Sequence, residues 1–111
     1  MNITFYKELA LGRWFTLSLA EQFANIGSEV GRAALWRGKN KEHFDNAVLR
    51  ALELFDLTLS DIRWRGRLRE IARAREVFCD AVLGGKQYNS TLESFEQYFY
   101  PFTFAARKYI S

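Results

Sequence analysis

The most distinctive chemistry in this sequence lies in an arginine-rich stretch, RWRGRLREIARAR, at residues 63–75. It holds six arginines and one glutamate. A guanidinium group is planar and binds phosphate or carboxylate oxygens in pairs, so the stretch predicts either phosphate contacts or ion pairs within the fold. The phosphate contacts would come from Arg63, Arg65, Arg67 and Arg69, and RNA or DNA would be the partner.

The predicted helical position of these arginines leaves both explanations open. Asp61 precedes Arg65 by four residues, which is the favourable order for an ion pair and would make this stripe an ordinary solvated face. However, cations near the N-terminus of a helix oppose its macrodipole, at a cost of about 0.3–1 kcal/mol each. Either carboxylates of the same fold or an anionic partner could compensate for that cost.

Arg75 lies on a different side of the same predicted helix, near the middle of its apolar arc. A buried arginine costs several kcal/mol unless a carboxylate pairs with it. We therefore predict a buried ion pair between Arg75 and Glu29, although other carboxylates could replace Glu29: Glu21, Glu53 and Asp56. The alternative is a polar pocket that binds a ligand.

Two spacings are similar to parts of known active sites. Arg37 and His43 have the Arg-x5-His spacing found in HEPN-class ribonucleases, in which histidine acts as acid and base while arginine holds the phosphate. Glu53 and Asp56 form an ExxD pair of the kind that binds magnesium in helical nucleotide pyrophosphatases, but no EExxE motif accompanies it. We predict no catalytic residue, and a small helical phosphodiesterase or nucleotide hydrolase is the alternative function.

Few residues could hold a metal or a cofactor. The sequence contains one cysteine, Cys79, and one histidine, His43, which is too few for a four-ligand zinc site or a di-iron bundle. No glycine-rich phosphate loop is present. We expect no metal site and no cofactor, and a single cysteine excludes a disulfide within the chain.

The composition predicts one globular domain over residues 1–111. Hydrophobic residues make up 49% of the sequence and charged residues 26%, which is enough apolar material for one core. The net charge is only +3, although Arg outnumbers Lys by 11 to 5. No apolar run has the length of a membrane span or a signal peptide, so we expect a cytoplasmic protein that does not bind membranes.

Apolar residues recur every three or four positions through most of the chain, which predicts an all-α fold. The first helix is predicted over residues 5–36 and the second over residues 41–59, with Asn40 as its N-cap. A third helix follows Ser60 and Asp61, and a fourth follows a capping box formed by Ser90 and Glu93. Short connections favour an antiparallel up-and-down four-helix bundle with a long first helix.

Two surfaces predict self-association. The first helix has a stripe of small residues that lets another backbone approach closely, whether from the same chain or from a second copy: Ala20, Ala24, Gly27, Gly31 and Ala34. On the fourth helix, Tyr98, Tyr100 and Phe104 lie off the main apolar face. Exposed aromatic side chains often fill protein interfaces, and beside a basic helix they could stack on bases. We expect a homo-oligomer, at least a dimer.

Two stretches, ANIGSEVGR at residues 24–32 and KEHFDNAVLRALEL at residues 41–54, resemble a known family. It comprises the four-helix proteins encoded in ribosomal RNA intervening sequences and the related accessory variability determinants of diversity-generating retroelements. The pattern departs from the family by one extra residue before Glu29 and by Val30 where the family has glycine. The resemblance implies a four-helix bundle that assembles into a ring with a basic, nucleic-acid-associated surface, and structural roles for Asn25, Glu29 and Arg32.

These patterns together predict a non-catalytic helical-bundle interaction module. It would associate with itself and bind RNA or DNA through the arginine-rich stretch. Because no base-reading motif is visible, any such binding should be indifferent to sequence.

Overall fold

The computed structural model describes residues 12–85, 91–99 and 101. Throughout this part of the chain the regular structure is helical, as predicted. The described residues form two short 3₁₀ helices and four α-helices. The 3₁₀ helices are Arg13–Thr16 and Ile62–Arg67, and the α-helices are α1 (Leu19–Trp36), α2 (Lys41–Leu59), α3 (Leu68–Val82) and α4 (Leu92–Tyr98).

The predicted long first helix is wrong, because the chain is extended at Leu17 and Ser18 before α1 begins. Ser18 and Glu21 form a capping box: the Ser18 hydroxyl accepts from the Glu21 N–H at 3.1 Å, and the Glu21 carboxylate accepts from the Ser18 N–H at 2.8 Å. As a result α1 has 18 residues, one fewer than α2. Residues 5–11 of the predicted helix lie outside the described residues.

The second helix has the predicted bounds. The Asn40 side chain caps it by accepting from the N–H of His43 at 2.9 Å. Between α1 and α2 the chain reverses at Gly38, whose φ of 75° is costly for any residue with a side chain. Gly38 and Asn40 therefore shape this connection locally, and Asn40 is the predicted cap.

The third and fourth helices begin differently from the prediction. Asp61 caps the second 3₁₀ helix, and α3 starts only at Leu68. For α4 the cap is Thr91, which exchanges hydrogen bonds with Ser94 in a capping box. The predicted cap, Ser90, lies outside the described residues.

A chain of five phenylalanine rings crosses the core, with one ring from each of α1, α2 and α3 and two from α4 and its C-terminal cap. Phe55 of α2 contacts Phe78 of α3 with ring centroids 5.9 Å apart, and Phe78 lies 6.2 Å from Phe95 of α4. Phe95 packs edge-on against Phe99, which in turn contacts Phe23 of α1 at 5.9 Å. Each such aromatic pair contributes about 0.5–1.5 kcal/mol beyond its buried area.

The helices contact one another in a closed order. The first packs against α2 and α4, and the third packs against the same two helices. The side chains that fill the space between them form one continuous hydrophobic core. No described helix combines the length and the apolar character that crossing a membrane requires.

The small-residue face of α1 is covered by α4 of the same chain. A methyl group added to Gly27 would lie 2.5 Å from the Cβ of Phe99, and one added to Gly31 would lie 2.8 Å from the Glu96 carboxylate. At these two positions the neighbouring residues belong to the same chain, which is the first of the two alternatives. The absence of a side chain at Gly27 lets α4 and the Phe99 that follows it approach α1 closely.

Candidate nucleic-acid interface

Arg63, the first of the four predicted phosphate-binding arginines, makes its hydrogen bonds within the fold. Its guanidinium donates to both Asp61 carboxylate oxygens, at 3.0 Å from Nε to Oδ1 and 2.7 Å from Nη2 to Oδ2. Nη2 also donates to the carbonyl oxygen of Leu17 at 2.7 Å. The side chain lies over the Trp64 ring, 4.4 Å from its centroid. Arg63 therefore ties the chain before α1 to the segment before α3.

The carboxylate of Asp61 is buried, with 3% of the residue exposed. Hydrogen bonds from the Arg63 side chain lower the pKa of Asp61 despite the opposing effect of burial, and Gln22 lowers it further. The same hydrogen bonds raise the pKa of Arg63. This pair is a charge-assisted, bidentate contact, which is the strong class of hydrogen bond.

A buried polar network extends from Asp61 into the core. The Gln22 side-chain amide donates to Asp61 at 3.1 Å and to the Trp14 carbonyl at 2.9 Å, and its oxygen accepts from the Trp64 indole at 2.9 Å. The Trp14 indole donates to the Thr58 hydroxyl at 3.1 Å. This network was not predicted from the sequence, although Gln22 offered a signal: it precedes Ile26 by four residues and so lies on the apolar stripe of α1.

Arg65 does not pair with Asp61 as predicted, because Asp61 points inward to Arg63 and Gln22. Arg65 and Arg69 are both exposed, and neither has an ion pair among the described residues. Arg67 is also exposed and pairs with Glu70 at 2.8 Å, each side chain being about half accessible. Of the four arginines, Arg63 therefore has a structural role and Arg67 forms a surface ion pair. Arg65 and Arg69 remain as exposed cations.

The outer face of α3 becomes more acidic toward its C-terminus. Arg69 and Arg73 are four residues apart and hence neighbours on the helix surface, and both are exposed. Glu76 and Asp80 lie further along the same side of the helix. The positive part of this face is therefore its N-terminal half, together with Arg65 in the preceding 3₁₀ helix.

Tyr98 lies beside this basic region at the C-terminal end of α4. Burial raises the pKa of its hydroxyl, nearby Glu70 raises it further, and Arg67 lowers it. The ring stacks on Phe95 at 5.8 Å with 9° between the planes, and 41% of the residue is exposed. The prediction that Tyr98 lies off the main apolar face of its helix is confirmed.

The predicted buried ion pair between Arg75 and Glu29 is wrong. Arg75 donates from Nε to Asp56 of α2 at 2.9 Å, and the two side chains are 34% and 61% exposed. Its long side chain leaves the apolar arc at the edge of α3 that faces α2, so the charge reaches solvent. Asp56 was among the alternative partners.

Glu29 instead pairs within its own helix. Its carboxylate accepts from Arg32 at 2.8 Å; the Glu29 side chain is buried and the Arg32 side chain is mostly exposed. Asn25, one turn earlier, donates to the carbonyl oxygen of Glu21 at 2.8 Å. All three residues make contacts within α1.

Arg37 and His43, the two residues with ribonuclease-like spacing, contact different partners. Arg37 donates to the carbonyl oxygens of Ala81 and Val82, at 2.9 and 2.8 Å, and so caps the C-terminus of α3. His43 packs against the ring of Trp36, with centroids 4.7 Å apart. The guanidinium that would hold a phosphate is therefore occupied by the end of another helix.

The ExxD pair, Glu53 and Asp56, makes contacts with other residues of the fold. Asp56 of the ExxD pair is the partner of Arg75, and Glu53 has contacts of its own. Among the described residues, no three His, Cys, Asp or Glu side chains are grouped closely enough to hold a metal ion. A surface hollow of about 430 Å³ lies at the start of α2 and is lined by Arg37, Gly38, Lys39, Asn40, Lys41, Phe44 and Asp45.

Comparisons with known protein families, curated proteins and solved structures found no match to this chain. The resemblance to ribosomal RNA intervening-sequence proteins therefore stays a prediction.

Proposed function

We propose that this chain is a non-catalytic helical interaction module that binds RNA or DNA non-specifically through exposed arginines at the start of α3. The observation that carries the proposal is the inward turn of Asp61. Because Asp61 is taken up by Arg63 and Gln22, the carboxylate expected to balance Arg65 is removed from the surface. Arg65 and Arg69 then present positive charge without an ion pair among the described residues.

Exposed guanidinium groups such as those of Arg65 and Arg69 are suited to contact a phosphate backbone. Each contact releases condensed counterions, so affinity rises as salt is lowered, whatever the base sequence. Arg67 can contribute as well, although Glu70 competes with a phosphate for its guanidinium group. Such an interface requires no catalytic group. Arg37 and Asp56, which belong to the two catalytic alternatives, make contacts within the fold.

The proposal includes an antiparallel up-and-down bundle that self-associates in the cytoplasm. The four-residue connection between α1 and α2 and the closed order of helix contacts support that topology. Self-association would use surface outside the covered part of α1, where four aliphatic side chains are more than half exposed: Leu35, Leu49, Ile62 and Leu83. A free Cys79 suits a reducing compartment.

Nucleic-acid affinity at two salt concentrations tests the proposed interface. A fluorescently labelled single strand and a duplex of equal length are titrated at about 50 mM and about 200 mM salt. The wild type should bind both, more weakly at the higher concentration. Arg65→Glu combined with Arg69→Glu should abolish most of the binding and reduce the slope of log affinity against log salt by about 1.4 or more.

A second double variant controls for net charge. Arg13→Glu with Lys39→Glu also changes the charge from +3 to −1, since each substitution removes two units, but it alters other exposed positions. This control should keep most of the wild-type affinity. The proposal is overturned if the wild type does not bind at about 50 mM salt, or if both double variants lose affinity equally.

A further inference from the structure

We propose that Tyr98 is a stacking platform for one base of a single-stranded nucleic acid whose backbone crosses the adjacent arginines of α3. This inference rests on the proposed function and deepens it by naming the preferred form of the ligand. It follows from three properties of Tyr98: the support beneath its ring, the area that remains open, and the charges around it.

The support comes from the core. The rings of Phe95 and Tyr98 are nearly parallel, with 9° between their planes, and Phe99 packs edge-on against Tyr98 with centroids 5.2 Å apart. Phe95 and Phe99 are both buried, so the inner side of Tyr98 is held by immobile neighbours. A ring positioned in this way loses little conformational entropy when a ligand stacks on it.

The open area is large for an aromatic residue at the end of a buried stack. Tyr98 is 41% exposed, whereas Phe95 and Phe99 are almost completely covered. A base placed on its accessible surface would extend an existing column of rings. Because every base has a π-face, such stacking tolerates any sequence, in agreement with the absence of a base-reading motif.

The charged surface beside Tyr98 is mixed but mainly positive: Arg67, Arg69 and Arg73 are accompanied by one carboxylate, Glu70, which pairs with Arg67. Arg67 and Glu70 are close enough to influence the hydroxyl of Tyr98. Arg73 follows Glu70 by three residues and Arg69 precedes Arg73 by four, so these positions are neighbours on the surface of α3. A strand whose base rests on Tyr98 could therefore place its phosphates over Arg67, Arg69 and Arg73 without leaving this surface.

This arrangement distinguishes a single strand from a duplex. In a duplex the bases are stacked on one another and their faces are inaccessible, so the arginines would contact only phosphates. In a single strand the same phosphate contacts are available, and stacking on Tyr98 adds to them. The structure therefore favours single strands by the contribution of one aromatic stack.

The experiment compares a single strand with a duplex for the wild type, Tyr98→Leu and Tyr98→Phe. Tyr98→Leu should weaken binding of the single strand by about 5-fold to 100-fold, the range expected when one base loses its aromatic partner, and should leave duplex affinity within about 2-fold. Tyr98→Phe keeps the ring and should bind both ligands like the wild type. Circular dichroism and thermal melting establish that each variant is folded.

A second measurement uses only the unaltered protein, in case Tyr98→Leu does not fold. A single strand that carries 5-iodouridine is irradiated in complex with the wild type, and the crosslinked residue is identified by mass spectrometry. Crosslinking at Tyr98 supports the platform, because the iodinated base reacts with the aromatic ring on which it stacks. Crosslinks confined to other residues overturn it.

The two proposals fail in different ways. If the wild type binds neither ligand at low salt, the proposed function fails and the platform with it. If binding depends on salt and on Arg65 and Arg69, but Tyr98→Leu affects single strand and duplex equally or not at all, only the platform is wrong.

Discussion

Gly27 of α1 and Phe99 after α4 approach so closely that a methyl group on Gly27 would lie 2.5 Å from the Cβ of Phe99. Real Cβ atoms do not tolerate that distance, and rotation of the Phe99 side chain leaves its Cβ in place, so the backbones of α1 and of the segment at Phe99 must move apart. Phe99 is also in contact with Phe23 and Phe95 of the aromatic chain. The contact therefore couples the spacing of two helices to the order of the core.

Gly27→Ala should destabilise the fold. The overpacking cost of about 1–3 kcal/mol exceeds the gain of about 1 kcal/mol that alanine brings to a helix interior. Gly31→Ala is the matched control, because the added methyl would meet only the mobile end of Glu96. It should leave stability unchanged or increase it by up to about 1 kcal/mol. Urea unfolding of both variants measures the difference, and equal effects would contradict the close approach at Phe99.

Asp61 should make stability depend on pH in the acid range. Its pKa is lowered in the folded state, chiefly by hydrogen bonds from Arg63, so its contribution is complete above the unfolded pKa and is lost as the pH falls through the folded value. The urea concentration at the midpoint of unfolding should therefore decrease as the pH falls below about 4. Since other carboxylates titrate there too, the measured quantity is the difference between the wild type and Asp61→Asn.

That difference has an expected sign at each end of the titration. Near neutral pH, Asp61→Asn should be less stable than the wild type by about 1–3 kcal/mol, since Arg63 and the buried Gln22 amide lose a charged hydrogen-bond acceptor. The gap should narrow as the pH falls below about 4. If the difference in unfolding free energy stays constant down to about pH 2, Asp61 stabilises the fold through the packing of its side chain and not through its charge.

Arg75→Ala should have a small effect. Its pair with Asp56 is substantially exposed, and exposed pairs contribute about 0.2–1 kcal/mol. A double-mutant cycle with Asp56→Ala isolates the coupling between the two side chains. A loss of about 3 kcal/mol or more would indicate the buried pair that the helical wheel predicted.

Arg37→Ala and His43→Ala separate a structural role from an enzymatic one. Arg37 caps the carbonyl oxygens at the end of α3, so its removal should cost about 1 kcal/mol of stability. His43 is exposed on the first turn of α2, and its replacement should change stability by less than about 0.5 kcal/mol. Cleavage of RNA by the wild type that disappears in both variants would instead favour the ribonuclease alternative.

Local signals in the sequence determined much of the helical pattern. The bounds of α2 followed from the Asn40 cap and from its apolar spacing, and α3 ends just before the Gly84–Gly85 pair, whose φ values of 118° and 74° stop the helix. The extended break before α1 was equally available, because Ser18 and Glu21 have the spacing of a capping box. These features depend on residues within four positions of one another, so sequence spacing is sufficient to predict them.

The partners of the charged residues were decided by tertiary structure. Asp61 has arginines two and four residues away, and only the approach of Gln22 and Leu17 from the start of α1 selects Arg63 over Arg65. Arg75 could reach several carboxylates, and the packing of α3 beside α2 places Asp56 nearest. Which face of α1 meets α4 likewise depends on contacts distant in sequence. Periodicity places a residue on a side of its helix, but the neighbour on that side is set by how the helices pack.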